Sequence, residues 1–453
     1  MKLILKWLRC RLESALFLLW LTVLVPVLLS RGLMHGLDQE RLRGLLSRWK
    51  EFLLHGLDGF RQAYWPAMCF ERKIDIGFYV ASLEWFGMWN VAREAPLEKN
   101  ASERILIVKL AHFGDALHIF PMMRELRRQC PNACIDLLVG PWCEGLAQTY
   151  GLHNRLLVQT PRLGLFTRGV KMGRRRSFWR EWRWLWNLRR NRYDMVLSTS
   201  TTTLAELLLM QAVNARRWVG SQVPGGLYAP SGGTPIPYDS QMYEATRVMR
   251  LLESCGLHSG PDELFYPLLP GSTNAALALL DRKGLAGGMP FAVLCPGAGW
   301  PGKQWLIERF AQLGDALGRR FGLRVVLAGT KGEKTLCDDI AALMDVPPIV
   351  VAGETSIEQL AAVLAKADLF VGNDSGPMHL AACFRTPSVV LFGPTKASKW
   401  SPRHKSSRCI QHEDCSGCIP WHYRASCLHG NRCMKAITVD EVLQAVDEVL
   451  REG

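Results

Sequence analysis

This sequence predicts an α/β protein of two Rossmann-like, doubly wound domains facing a cleft, preceded by a helical, membrane-proximal extension. Three observations predict it. From Arg104 onward, short apolar runs of strand length alternate with stretches of helical spacing, which is the pattern of a parallel sheet covered by helices. The same pattern begins again at Phe291 and runs to Gly393. Polar or glycine-rich turns carrying charged residues follow several of these runs, where doubly wound sheets bind their ligands. The implied organisation is an extension over 1–102, a first Rossmann-like domain over 103–260 and a second over 261–453.

In the first domain, Ile105–Leu110 reads as a buried strand, Ala116–Arg128 as one helix containing Pro121, and Ile135–Val139 and Asp194–Ser198 as further strands. A helix over Met242–Cys255 closes it, and residues 258–290 join the halves. The second domain has strands at Phe291–Cys295, Arg324–Gly329, Ile349–Gly353, Leu369–Gly372 and Val389–Gly393, separated by helices.

A chain of 453 residues exceeds one ordinary core. With 48% hydrophobic and 21% charged residues it is globular, which excludes a disordered or fibrous chain. A net charge of +14 calls for an anionic partner: nucleic acid, an acidic membrane or a phosphorylated substrate. The 14 cysteines are spread along the chain and read mostly as reduced core residues of a cytoplasmic protein.

Ala15–Leu29 is apolar except for Thr22 and follows Lys2, Lys6, Arg9 and Arg11. About 15 residues at ~1.5 Å each reach ~22 Å, short of a ~30 Å hydrocarbon core. A membrane-dipping or tilted anchor is the preferred reading over a cleaved signal or a buried helix, because small residues are lacking at the cleavage position.

The segment Val371–Ala382 is the most informative. It reads as strand, turn and helix start, so backbone N–H groups near Ser375 and Gly376 and the helix dipole would suit a phosphate, with Asp374 and His379 at the mouth. An N-cap role for Asp374 or Ser375 is the plainer alternative. After the first strand, Gly114 permits a sharp turn and Asp115 is carried to the strand's carboxyl end, as a general base toward an acceptor hydroxyl or as a helix N-cap. Gly297, Gly299 and Gly302 satisfy a dinucleotide spacing by number. Trp300 and Pro301 inside the turn, and no acid ending the next strand, argue against it. Lys303 fits better as a cation opposite a diphosphate leaving group, or is a solvated loop lysine. Glu333, at another strand end, is a ribose acceptor or an ordinary first-turn acid.

Residues 168–192 hold ten basic residues, among them Arg174, Arg175 and Arg176, against the single acid Glu181, with Trp179, Trp182 and Trp186 on one helical face. This suits an anionic membrane interface or a phosphorylated acceptor; stacked nucleic acid or simple core packing are the rivals. Nucleic acid is not the partner adopted. In the group Cys409, Cys415, Cys418, Cys427 and Cys433, only Cys415 and Cys418 make a tight pair for structural zinc, and buried thiols or a disulfide are preferred.

Together, Ile105–Leu110 with Phe113-Gly-Asp-Ala-Leu-His118, Gly297-Ala with Lys303 and Trp305, Gly372-Asn-Asp-Ser-Gly-Pro-Met-His-Leu-Ala-Ala382, Leu391-Phe-Gly-Pro-Thr395 and Cys433-Met-Lys-Ala-Ile437 resemble glycosyltransferase family 9, the ADP-heptose:lipopolysaccharide heptosyltransferases. The resemblance runs from about residue 104 to 450. It implies a GT-B architecture, an acceptor-binding first domain, a donor-binding second domain, and inverting transfer from ADP-heptose with no required cofactor or metal. By the same resemblance Asp115 is the base, Lys303 the donor-phosphate ligand, Glu333 a ribose contact, and Asp374, Ser375, Gly376, Met378 and His379 the donor loop. His118, within the matched segment, and Arg174–Arg176 are assigned to the acceptor side. The implied partners are a nucleotide sugar, a lipopolysaccharide core acceptor and the inner-membrane surface, placing the protein on its cytoplasmic face. Ala111-His-Phe replaces the family's usual serine-containing start of the Gly-Asp loop, and residues 1–100 match nothing in it. A GT-B enzyme using or epimerising another nucleotide sugar, or a non-catalytic nucleotide-binding membrane adaptor, are the alternatives.

Overall fold

The structure, a computed structural model, describes residues 102–158, 178–201, 209, 212–213, 215–222, 234–285, 287–412, 427 and 429–452. The apolar run 15–29, Arg174–Arg176, and Cys415 and Cys418 lie outside these residues.

Two six-stranded sheets form, both wholly parallel. The first contains β1 (Arg104–Lys109), β2 (Cys134–Val139), β3 (Arg155–Val158), β4 (Met195–Thr201), β5 (Arg217–Gln222) and β6 (Thr234–Pro237), in the order β3-β2-β1-β4-β5-β6. The second contains β7 (Phe291–Cys295), β8 (Arg324–Leu327), β9 (Ile349–Val350), β10 (Leu369–Asn373), β11 (Ser388–Phe392) and β12 (Ser407–Gln411), in the order β12-β11-β10-β7-β8-β9. Read from the opposite edge, the second order repeats the first. The direction in which successive strands are added reverses between β1 and β4 in one sheet and between β7 and β10 in the other. Such switch points open a crevice beyond the strands' carboxyl ends.

The central strands are legible because helices cover both faces and their middle residues are apolar: Ile105, Leu106, Ile107 and Val108 are all fully buried. One apolar cluster joins buried residues of both sheets, including Ile105, Leu117, Phe370, Met378 and Val390. A smaller cluster fills the far side of the first sheet, where Leu185 and Leu188 of the helix Phe178–Arg189 pack on Leu106, Val108 and Val196. Trp184 packs beside them, while Trp186 is 45% exposed.

One expectation is corrected. The single helix expected over Ala116–Arg128 is two, Phe113–Leu117 and Phe120–Gln129, with Pro121 in the first turn of the second. A proline lacks the N–H that would continue the first helix and its ring would strike the preceding turn, so the helix restarts. The break carries His118 into the interface. The joining segment contains a helix, Pro270–Arg282, packed against the helix Ile357–Lys366. Its opening proline lies in the first turn, where the missing N–H costs no helical bond.

Candidate functional site

Three loops converge at the switch points. The turn after β1 carries Gly114 and Asp115, the loop after β7 carries Lys303, and the turn after β10 carries Asp374 and Ser375. The first and third touch directly. A Cβ on Gly114 would lie 2.6 Å from His379 Cδ2 and 3.2 Å from Gly376 Cα, and one on Gly376 would lie 2.7 Å from Phe113 Cδ1. Only glycine at both positions permits this approach of the two halves.

Asp115 is half-buried, and its Oδ2 accepts from the His112 N–H at 3.2 Å. It stands at the third position of the helix Phe113–Leu117 and closes the first turn through this bond, so the N-cap is His112 rather than Asp115. Asp374 is buried and accepts from Lys303 Nζ at 2.6 Å and from the Thr395 hydroxyl. Burial pushes its carboxyl up, but the Lys303 charge and these hydrogen bonds outweigh burial and hold it below the usual carboxylate range. Asp374 thus orients the lysine ammonium, whose side chain keeps 19% exposure.

Ser375 is the N-cap of the helix Gly376–Ala382, and its hydroxyl is buried with no hydrogen-bond partner among the described residues. Met378 is fully buried in the shared core, beneath the turn rather than lining it. Glu333 Oε2 accepts from the Thr330 N–H at 2.8 Å and hydroxyl at 2.9 Å, a first-turn cap, and the carboxylate lies against Gly297. It borders the Lys303 loop.

His118 and His379 meet across the interface, Nε2 to Nδ1 at 3.1 Å, within an aromatic group that includes Tyr243 and Trp400. His118 is thus enclosed between the halves. Burial lowers both imidazoles below their ordinary value; each ring's neighbours include Glu244, with Lys109 and Arg247 near His118, and Asp374, Asp115 and Lys303 near His379. An unfolded chain protonates these rings near pH 6.5, whereas the folded chain resists, so stability is retained above about 6.5 and falls as pH drops below it. Between pH 7.5 and 5.5 the urea-unfolding free energy should therefore drop, and a His118→Gln/His379→Gln variant should have a flatter slope. Identical slopes would remove the pair as the cause.

A charged group next to the histidines was not legible in the sequence. Glu244 receives Arg247 Nε at 2.9 Å and NH2 at 2.6 Å, with Lys109 Nζ at 3.7 Å and Lys399 Nζ at 3.4 Å; all four residues are buried. Burial raises the Glu244 carboxyl, but Arg247 and the lysines overcome it and hold it far below its ordinary value. Lys399 reaches across from the second half and also donates to the Tyr238 hydroxyl. Residues so far apart in sequence meet only through topology; the one signal was a lone lysine ending the apolar run of β1.

No group of three or more His, Cys, Asp or Glu residues is placed to hold a metal ion among the described residues. Nor is any described helix long and apolar enough to cross a membrane.

Two parallel Rossmann-type sheets whose switch-point turns meet, Gly114 of one half against Gly376 and His379 of the other, have the architecture of the GT-B class of glycosyltransferases. The chain belongs to glycosyltransferase family 9 (heptosyltransferase), whose family model matches residues 182–428. It is 26% identical over 319 residues to lipopolysaccharide heptosyltransferase 2 of Salmonella typhimurium, covering 68% of this chain and 88% of the relative. To lipooligosaccharide heptosyltransferase 2 of Campylobacter jejuni it is 31% identical over 173 residues, 37% of this chain and 54% of that protein, so this match spans about half the relative. Among solved structures, a family 9 glycosyl transferase from Veillonella parvula aligns with a TM-score of 0.63 at 21% identity, covering 79% of this chain and 99% of that one. The E. coli ADP-heptose lps heptosyltransferase II aligns at 0.57 and 22% identity, covering 77% and 99%. These likenesses establish the shared fold.

Proposed function

We propose that this protein is an inverting heptosyltransferase, moving a heptose from ADP-heptose to a hydroxyl of a lipopolysaccharide core acceptor. The observation that carries it is the convergence of Asp115, Lys303 and the Asp374–His379 turn at the two switch points. The relatives named as heptosyltransferases supply the sugar and the acceptor class.

In this reading 261–453 is the donor domain, 103–260 the acceptor domain and 1–102 a membrane-associated extension that keeps the enzyme at the cytoplasmic face of the inner membrane. The acceptor oxygen attacks the anomeric carbon as the bond to the diphosphate oxygen breaks, and its proton passes to Asp115. ADP leaves with two negative charges concentrated on its terminal phosphate. Lys303 and the N–H groups at the start of the helix Gly376–Ala382 stabilise that charge where water is excluded. Asp374 sets the lysine's position, Glu333 at the neighbouring strand end borders the nucleoside side, and Arg174–Arg176 serve the acceptor's phosphates. The reaction as written uses only groups of the chain and its two substrates.

Incubating the protein with ADP-heptose, ADP-glucose and UDP-N-acetylglucosamine, with and without lipid-linked core acceptor, tests this directly. The expected result is acceptor-dependent ADP release from ADP-heptose. Sugar isomerisation without nucleotide release would favour an epimerase, and binding without turnover would favour an adaptor.

A further inference from the structure

We infer that Asn373 is a positioning residue for donor binding, acting through Lys303 by fixing both ends of the loop that presents the lysine. The inference rests on the reading of Lys303 as a diphosphate ligand and adds a residue that the reading did not contain.

Asn373 is the last residue of β10 and is fully buried. A buried carboxamide is costly unless its donor and acceptor are both engaged, and here both are. Its Nδ2 donates to the Pro296 carbonyl at 2.7 Å, and its Oδ1 accepts from the Trp305 N–H at 3.1 Å. The assignment of N and O follows from the partners, because a carbonyl only accepts and a peptide N–H only donates. These two backbone groups are the start and end of the loop carrying Lys303.

The loop has little order of its own. Between its ends lie Gly297, Gly299 and Gly302, and its only regular element is the single turn Pro301–Lys303. What holds it comes from outside. Asn373 fixes the two ends, and the next residue, Asp374, takes the lysine ammonium at the tip. The Ile437 carbonyl accepts from the Trp305 indole at 3.0 Å and from Arg309, which anchors the outgoing end a second time. β10 is paired on both sides, with β7 and β11, so successive residues of one rigid strand hold the frame and the tip of the loop. The ammonium is thereby pre-positioned before donor arrives, which is when a fixed charge stabilises a diphosphate most.

A carboxamide donates from one atom and accepts at another, which lets a short side chain engage both backbone groups. Aspartate would keep the bond to Trp305 but set an oxygen against the Pro296 carbonyl. Alanine would lose both bonds and leave the two backbone groups buried and unpaired.

The test is calorimetric titration of the full chain with ADP and with adenosine, for the parent, Asn373→Ala, Asn373→Asp, Lys303→Met and the Asn373→Ala/Lys303→Met pair. The expected result is an ADP affinity lowered about 10-fold in Asn373→Ala, adenosine affinity unchanged, and no further loss when Asn373→Ala is added to Lys303→Met. Asn373→Asp retains volume and one bond, so it gives the same comparison if alanine does not fold. Equal losses for ADP and adenosine, or additive losses in the double variant, would show a general structural role and overturn the inference. A Lys303→Met protein that binds ADP like the parent would overturn the diphosphate reading and this inference with it. A weakened Lys303→Met beside a parental Asn373→Ala and Asn373→Asp would overturn this inference alone.

Discussion

Asp115→Asn is expected to lower the transfer rate by about 100-fold or more while leaving ADP affinity near the parental value. The proposed reaction gives the carboxylate two functions: its Oδ2 accepts from the His112 N–H, and, one residue from the Gly114 contact with the second half, it takes the acceptor's proton. Asparagine keeps the first function, since its amide oxygen accepts the same bond, and cannot perform the second because that oxygen is not basic. The substitution is nearly isosteric, so the contact of Gly114 with Gly376 and His379 survives it. A loss of rate at constant melting temperature and ADP affinity therefore isolates proton acceptance. Near-native transfer by this variant would leave Asp115 a first-turn residue and move the base elsewhere. Single-turnover rates and ADP titrations on one preparation decide it.

The placement of the strand-end residues was legible in the sequence for a physical reason. Doubly buried parallel strands must be apolar through their middle residues, so β1, β7, β10 and β11 announce themselves, and the polar residues that follow them fall in the crevice. Asp115, Lys303, Asp374 and Ser375 were singled out from that position, and the family resemblance supplied their expected roles. Edge strands do not announce themselves: β6 is Thr234-Pro-Ile-Pro237, and its two prolines argue against a strand anywhere except at the margin of a sheet, where it lies. The four-residue β3 is equally short of signal.

The rest of the site depends on pairing across the fold. Lys109, Glu244, Arg247 and Lys399 become one buried group only when the helix Glu244–Glu253 is set against the first sheet and Lys399 arrives from the second half. Periodicity carries no information about such meetings. His118 shows the same limit. Its segment was recognised, but enclosure against His379 follows from the helix break at Pro121 and from two glycines at the contact. Met378 stands in the most informative motif, yet it is a core residue of the helix beneath the turn.

Lys303→Ala should reduce kcat/KM for the donor by the equivalent of about 2 to 4 kcal/mol, roughly 30- to 1000-fold, because the cation opposing the departing diphosphate is removed. It should also change how stability responds to pH, since Asp374 loses its counter-charge. In the parent, the Asp374 carboxyl is held below its ordinary value by Lys303 and Thr395 against the opposing effect of burial. Its contribution is present above about pH 4 and is lost as pH falls through the lower folded value. Without the lysine, burial dominates and raises the carboxyl above its unfolded value, which reverses the sign. The variant's deficit relative to the parent should then grow as pH rises from about 4 through the raised value, and should be larger at pH 7 than at pH 4.5. Asp374→Asn separates the two effects. It leaves no buried charge and retains an oxygen for Thr395, so it should fold with little pH dependence of its own while binding ADP more weakly, because the ammonium is no longer held. Urea unfolding at the two pH values and ADP titration of both variants supply the measurements. Parental donor turnover in Lys303→Ala and Asp374→Asn alike would remove the clamp from the reaction, and a deficit of equal size at both pH values would show that Asp374 does not carry the charge this arrangement requires.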